Sequence, residues 1–398
     1  MIKSDIYERL ADRFKAASVM ISRGIAEKRP ILIRHHADCD GYAGAVALER
    51  AILEMLYQHH RRESDIFYYY RRSPSRTPFY DYSDATKDVS NFLADVMRHE
   101  HKRPLIIVVD NGSSSEDLMS LRKLKIYGAQ LIVIDHHPPC KENDNYIDLH
   151  INPHFVTSSY GISAGMLCAE IAAQLMPGIE DMELLAALSG VADKCEGTEL
   201  DQYLMLAEKK GYSRRKIEQI AECIDFETYY LGFLESRYMV DDLFFGDLAK
   251  QDQLISMISQ ELAKRKAAYE VAVEKYTLSE NMGSFALASL DLEAVSREGE
   301  YPRRGKIIGM VLLHVREKLG KPVVAYGYGR DFLTLRSDKS LDVDLAKIIA
   351  GLRQAMPYAL VEGGGHAKAG SINFIAAARD EVVKYVHDTL AKANYINP

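Results

Sequence analysis

The chain has no Cys-x-x-Cys pair. Its five cysteines, at 39, 140, 168, 195 and 223, are scattered and odd in number. That argues against a disulfide framework and a thiolate zinc site, and it fits a reducing cytoplasm. No apolar run approaches the ~20 residues that span a bilayer, so no membrane is implied. The opening MIKSDIYERLADRFK is charged and helix-periodic, which is not the pattern of a signal peptide. There is no basic excess: 50 Lys and Arg against 57 Asp and Glu leave a net charge of −7. Nonspecific nucleic-acid coat proteins are usually basic, so that class is disfavoured. An enzyme that meets nucleic acid through a local patch and bound cations is not, because metal ligands add to the formal acid count. There is also no internal repeat and no low-complexity segment in 398 residues. That length exceeds one ordinary core and implies two or three domains.

What is present is an alternation of strand and helix patterns. Residues 5–28 have the apolar spacing of an amphipathic helix, through Ile6, Leu10, Phe14, Ala17 and Ile21. A strand at 31–33 follows, then a helix over 42–57, a strand over 66–70 and a helix over 85–99. Next come a strand ending at Asp110, a helix over 115–126, and LIVIDHHPP, an apolar run that stops in one acid, two histidines and two prolines. Such alternation predicts an α/β fold with a mainly parallel sheet. In such sheets ligands gather at the carboxyl ends of the strands. Three of these strand ends carry acids and histidines, at 36–40, 110 and 135–137.

Residues 160–280 are mostly helical in pattern, with 241–276 readable as one long connecting helix. Strands return at 285–293, 322–329 and 332–337. A helix over 342–356, a glycine cluster at 363–366, a strand over 371–375 and a helix over 378–391 complete a smaller mixed α/β region. The expected domains are 1–200, a helical connector at 201–282, and 283–398.

His36, Asp38 and Asp40 sit at alternate positions, which share one face of an extended segment. Asp110, His136, His137 and Asp193 lie at the ends of other apolar runs. Carboxylates with imidazoles and no thiolates favour Mn²⁺ or Mg²⁺ over structural zinc. Each residue has a plainer reading. Asp38 and Asp40 are also good turn and N-cap residues. Asp110 before Asn-Gly-Ser-Ser-Ser suits a turn, and Asp193 beside Lys194 suits a solvated helix end. His35 and His154 are read as structural. Jointly, the set points to a metal centre more strongly than any member does.

IDHH at 134–137, HADCDG at 36–41, VVDNGSS at 108–114 and GVADK at 190–194 resemble the four motifs of the DHH phosphoesterase superfamily. LRSDKSLDVDLA at 335–346 and GGGHAKAGS at 363–371 resemble the DHHA1 domain that follows it. The HxDxDG form resembles the RecJ-like single-strand nucleases, particularly the archaeal ones. The resemblance implies one Mn²⁺ on His36, Asp38 and Asp110, and a second on Asp40, Asp110, His136 and Asp193, with Asp110 bridging. It implies that His137 lies beside the scissile phosphate and that Asp135 orients the histidines. It further implies that Gly363, Gly364, Gly365 and His366, with Arg336 and Ser337, hold a substrate phosphate. Two departures stand out. Arg34 occupies the position where the small-phosphatase branch carries a histidine, and the sequence after the glycine motif leaves no room for the extra oligonucleotide-binding domain of bacterial RecJ.

The expected function is a Mn²⁺-dependent hydrolase of single-stranded DNA or RNA, in repair, replication or RNA turnover. A short-oligonucleotide phosphodiesterase or nucleotide phosphatase, and a replication-fork scaffold that has lost catalysis, are the competing readings. The full ligand set argues against the last, although replication-fork proteins remain candidate partners. Tyr68 to Arg76 combines aromatics with three arginines. It reads either as a base-stacking patch or as an edge strand leading into a solvated basic loop. Arg214-Arg215-Lys216 and Lys264-Arg265-Lys266 read as solvated helix faces.

Overall fold

The computed structural model describes residues 2–60, 66, 68–75, 77–99, 102–157, 161–232, 237–297 and 299–394. The chain divides into two compact units, Met1–Ser256 and Met257–Pro398. The helical stretch 201–282, expected as a connector, is shared between them.

In the first unit, α1 (Asp5–Ala26) leads to β1 (Ile31–His35), α2 (Cys39–His60), β2 (Tyr70–Pro74) and α3 (Tyr82–His99). Then come β3 (Leu105–Val109), α4 (Leu118–Ile126), β4 (Gln130–Ile134) and β5 (Leu149–Ile151). The five strands are all parallel, in the order β2-β1-β3-β4-β5. β3 reads LIIVV and is buried throughout, as a central parallel strand covered on both faces must be. One face packs Leu32, Ile106, Val108, Leu131 and Val133 against Val89 and Phe92 of α3 and Leu121 and Leu124 of α4. Five helices complete the unit: α5 (Ala164–Leu175), α6 (Met182–Ala192), α7 (Thr198–Lys209), α8 (Arg214–Leu231) and α9 (Arg237–Phe245).

Two boundaries differ from the sequence reading. The strand expected at 66–70 lies at Tyr70–Pro74, with helical residues before it, and Phe67 falls outside the described residues. The single helix expected over 241–276 is broken. α9 stops at Phe245 and α10 (Leu248–Tyr276) begins after Gly246 and Asp247. A Cβ at Gly246 would lie 2.3 Å from the Asp242 carbonyl oxygen. The Asp247 carboxylate accepts from the amides of Ala249 (2.8 Å) and Lys250 (3.2 Å), so a capping acid starts the new helix.

In the second unit, β6 (Leu278–Asn281), β7 (Ala286–Asp291), β8 (Val323–Tyr328), β9 (Phe332–Ser337), β10 (Glu362–His366) and β11 (Ala369–Asn373) form a mixed sheet. Its order is β10-β11-β9-β8-β7-β6. β7 and β8 run parallel and the other pairs antiparallel. α11 (Arg304–Leu319) covers one face; α12 (Leu345–Ala355) and α13 (Arg379–Leu390) cover the other. The glycine cluster is thus an edge strand rather than a compact turn. Of its three glycines only Gly365 has positive φ, at 125°. Among the described residues no helix is long and apolar enough to cross a membrane.

Candidate metal centre

The parallel register puts three strand ends at one level. Arg34 pairs with Val108, His35 with Val109, and Val109 with Ile134. The ladder continues one residue further. The amide of His36 donates to Val109 (3.2 Å), that of Asp110 to Ile134 (2.9 Å) and that of Asp135 to Ile151 (3.0 Å). The first residue beyond each strand is therefore His36, Asp110 or Asp135. Asp110 turns sharply there, with φ of 55°. Asp is one of the few residues that visits this left-handed region readily. At Gly112, φ is 101° and a Cβ would lie 2.9 Å from a Val133 methyl, so only glycine fits the next step of the turn.

Two groups of ligand atoms meet at Asp110. His36 Nδ1 lies 2.8 Å from Asp38 Oδ2 and 3.2 Å from Asp110 Oδ2. On the other side, Asp110 Oδ1 lies 3.3 Å from His136 Nε2 and 3.8 Å from His137 Nδ1. The sets His36, Asp38, Asp110 and Asp110, Asp135, His136, His137 each bring their ligand atoms within 4.8 Å of one another. Asp40 and Asp193 approach His136 from different sides, Asp40 Oδ2 at 3.8 Å from Nε2 and Asp193 Oδ2 at 3.5 Å from Nδ1. The structure gathers them around one imidazole rather than at one shared point. Asp135 Oδ1 accepts from the His137 ring at Nδ1 (2.8 Å) and from the amides of His136 (2.7 Å) and His137 (3.2 Å).

The charges are crowded. Burial, then the Asp110 charge, pushes the Asp40 carboxyl well above its usual range, and burial brings Asp193 up to about 6. Burial disfavours protonated His36, yet Asp38 and Asp110 hold it up at about 10. Burial likewise opposes a charge on His136, and Asp193 and Asp110 overcome it. Asp135, although buried, is held below the usual range by His137 and His136. Protons thus occupy a site whose acids need positive charge. Asp110 Oδ1 is buried, makes no well-aligned hydrogen bond and faces only the His136 and His137 rings, a place a cation would satisfy. The donor set of oxygens and imidazoles fits Mn²⁺ or Mg²⁺.

Several supporting residues escaped the sequence reading. The amides of Ala164 (3.1 Å) and Gly165 (2.7 Å) and the Ser189 hydroxyl (2.5 Å) all donate to the Asp40 carboxylate. The signal was the run of small residues GISAG at 161–165. The Ser113 amide donates to Asp135 Oδ2 (3.1 Å), and Asn152 Nδ2 donates to the His137 carbonyl (2.8 Å). Arg34 turns away from the centre. Its guanidinium binds Asp88 in a fork, at 3.1 and 2.5 Å, and donates to the Pro74 carbonyl. His35 is buried and its Nδ1 donates to the His36 carbonyl (2.7 Å).

The basic patch reads differently in three dimensions. Arg72 is buried against Glu49 (2.5 Å) and the Tyr70 hydroxyl donates to the same acid (2.9 Å), so neither meets solvent as a stacking patch or a basic loop would. Arg71 is half-buried, and Arg76 lies outside the described residues. Arg214 pairs with Glu218 and Arg265 with Glu261 along their own helices, and Lys216 of α8 pairs across to Asp252 of α10.

In the second unit, β11 aligns Ala369 with both Arg336 of β9 and His366 of β10, so these two side chains emerge at one level from the strands on either side of β11. Arg336 packs toward Gly305 of α11, and burial lowers its pKa. Its Nη1 donates to the Leu335 carbonyl (3.1 Å), and no carboxylate pairs with it among the described residues. Ser337 bonds to the carbonyls of Lys368 and Asp338. Gly363 to Gly365 run extended in register with β11, so the converging successive amides of a glycine turn are not formed there; on this edge strand only alternate amides face outward.

The strand ends of this parallel α/β sheet converge on acids and imidazoles that could hold metal ions. The model for the DHH family, N-terminal domain, matches residues 30–191. A solved structure described as the DHH domain of a member of a family of ribosomal proteins is 35% identical, with TM-score 0.92. That match covers all of this chain and 94% of that one. The chain belongs to the DHH phosphoesterase superfamily. An uncharacterized protein of Methanocaldococcus jannaschii is 34% identical over 96% of this chain and 54% of its own length. The chain thus spans about half of that curated relative. Exonuclease RecJ bound to manganese shares the fold at 18% identity and TM-score 0.63, covering 95% and 94% of the two chains. RecJ of Thermus thermophilus, at 17% and 0.59 over 97% and 53%, was solved with Mg²⁺.

Proposed function

We propose that the protein is a Mn²⁺-dependent exonuclease that hydrolyses phosphodiester bonds at an end of single-stranded DNA or RNA. The observation that supports it best is Asp110, one carboxylate with an oxygen toward each of two ligand groups. His36, Asp38 and Asp110 would hold one ion; Asp40, Asp110, His136 and Asp193 would hold the other, and Mg²⁺ suits the same donors. Such ions, when bound, supply an ionised water near neutral pH and offset phosphoryl charge. The chain's own residues do the rest. Asp135 fixes the His137 ring through Nδ1 and, against burial, raises the imidazole's pKa, so that its other nitrogen, when protonated, donates to a phosphoryl oxygen. Ser113 and Asn152 hold that pair in place.

In this reading residues 1–200 are the DHH domain and 283–398 a DHHA1 domain, joined through 201–282. Arg336, half-buried and with no carboxylate partner among the described residues, meets substrate phosphate beside Ser337, Gly363 to Gly365 and His366. Repair, replication or RNA turnover in the cytoplasm, beside replication-fork proteins, is the corresponding setting. The test is digestion of end-labelled long single-stranded DNA, RNA and dinucleotides with Mn²⁺. Metal-dependent shortening of a long strand is expected. Cleavage of two- to five-mers alone would replace this reading with a short-oligonucleotide hydrolase. No cleavage of any substrate would leave the non-catalytic scaffold.

A further inference from the structure

In the second unit a concave space of about 340 Å³ opens between α13 and the strand ends beside it. Its volume is at the lower end of small-molecule sites, ~300–1,000 Å³. Tyr326 and Tyr328 line one side. They are two apart on β8 and share a face, with ring centroids 6.2 Å apart. The other side is α13, where Asp380, Val383, Lys384 and His387 recur at helical spacing. The Arg379 guanidinium lies over the Tyr328 ring, 5.2 Å from its centroid, and donates to the Gly329 carbonyl (3.2 Å). The Tyr326 hydroxyl meets His387 Nδ1 at 3.0 Å, which fixes that imidazole at the rim.

This space is not part of the candidate phosphate contacts. Arg336 leaves the sheet toward α11, while Tyr326 packs in the opposite layer, with Val382 and Val386 of α13. The charges also give it a direction. Arg379 is partly met by Asp291 and Asp380, each at 3.4 Å. Glu280 lies 3.8 Å from His387 Nε2. Lys384 has no carboxylate partner among the described residues. A planar aromatic group therefore fits the Tyr328–Arg379 end, where an aromatic face is backed by a guanidinium. An anionic group fits Lys384, one helical turn beyond Asp380, whose carboxylate is engaged by Arg379.

We propose that this cleft binds a nucleotide, its base against Tyr328 and Arg379 and its phosphate at Lys384, as a site separate from the candidate metal centre. The chain has no tryptophan, so 2-aminopurine can be read without indole background. The full-length protein in EDTA is titrated into 2-aminopurine deoxynucleoside 5′-monophosphate, with cleavage silenced. Saturable quenching is expected. Tyr328→Ala and Lys384→Glu should each weaken it about tenfold, and Lys384→Arg should restore most of it. Lys318→Glu, the same charge change on α11 at the opposite face, should leave it intact. Equal affinity in wild type, Tyr328→Ala and Lys384→Glu would overturn the site, as would no quenching at all. Competition by inorganic phosphate but not by adenosine would reduce it to an anion site and overturn the nucleotide assignment. Quenching that survives in a protein without nuclease activity would sink the nuclease reading and leave this one standing.

Discussion

At Asp110 a single residue carries geometry and charge together. Its positive φ swings the carboxylate between the ends of β1 and β4. Asp110→Ala should abolish Mn²⁺-dependent hydrolysis and reduce bound manganese at both positions, read by calorimetric stoichiometry. One tight ion retained in the variant would refute a shared ligand. Gly165 is a second sensitive point. A Cβ there would lie 2.6 Å from the Ser189 hydroxyl and 2.9 Å from Asp40 Oδ1. Gly165→Ala should push Asp40 out of its cradle and cost about 10–100-fold in metal affinity, with little change in secondary structure by circular dichroism. Unchanged affinity would show that Asp40 does not depend on the cradle. The residues at the strand ends were visible in the sequence because acids and histidines end apolar runs. The cradle was not, because Gly165 and Ser189 lie 125 and 149 positions from Asp40 and look like ordinary helix residues.

Among the elements, β1 is the least conventional. Its five residues are all buried, yet Arg34 and His35 are two of them. Arg34 is stabilised by a forked pair with Asp88 of α3, whose other contact is the Tyr80 hydroxyl. That pair ties α3 to the strand that delivers His36. Asp88→Ala would leave the buried guanidinium with only a longer pair to Asp84, at 3.9 Å, at a cost of about 3–5 kcal/mol. Urea unfolding should register this loss. A loss below about 1 kcal/mol would mean that solvent reaches Arg34. β3 and β4 were legible because buried parallel strands read as continuous apolar runs. β2 was misplaced by a few residues because its inward arginine, Arg72, is neutralised by Glu49 from the middle of the preceding helix α2, beyond the reach of a strand's local pattern. The break at Gly246 was missed because Asp247 suits a helix surface as well as a cap. Local pattern records apolar burial faithfully and buried ion pairs poorly, since their partners are remote in sequence.

For the whole molecule, stability without metal should depend on pH in one direction over the neutral and alkaline range. His36 is raised to about 10, so the stability it contributes is present below its ordinary pKa of about 6.5 and is lost as pH rises through 10. Asp193, raised to about 6, acts with the same sign at lower pH. Its folded form holds a proton that the unfolded chain releases near 4. Asp135, held below its ordinary range, contributes stability that is constant above about pH 4 and vanishes only in acid. Metal-free protein should therefore melt at progressively lower temperature from about pH 6 to about pH 9. Mn²⁺ replaces those protons, and its binding tightens as they leave. At about 100 times its dissociation constant a single-site ligand adds about 2.7 kcal/mol. The melting curve with manganese should accordingly be flat or rising over the same range, and the gap between the two curves should widen with pH. Thermal melts in EDTA and in manganese, followed by circular dichroism, measure this. Parallel curves would mean that cation and protons do not compete for one set of side chains, and the two-ion reading of Asp110 would fail with them.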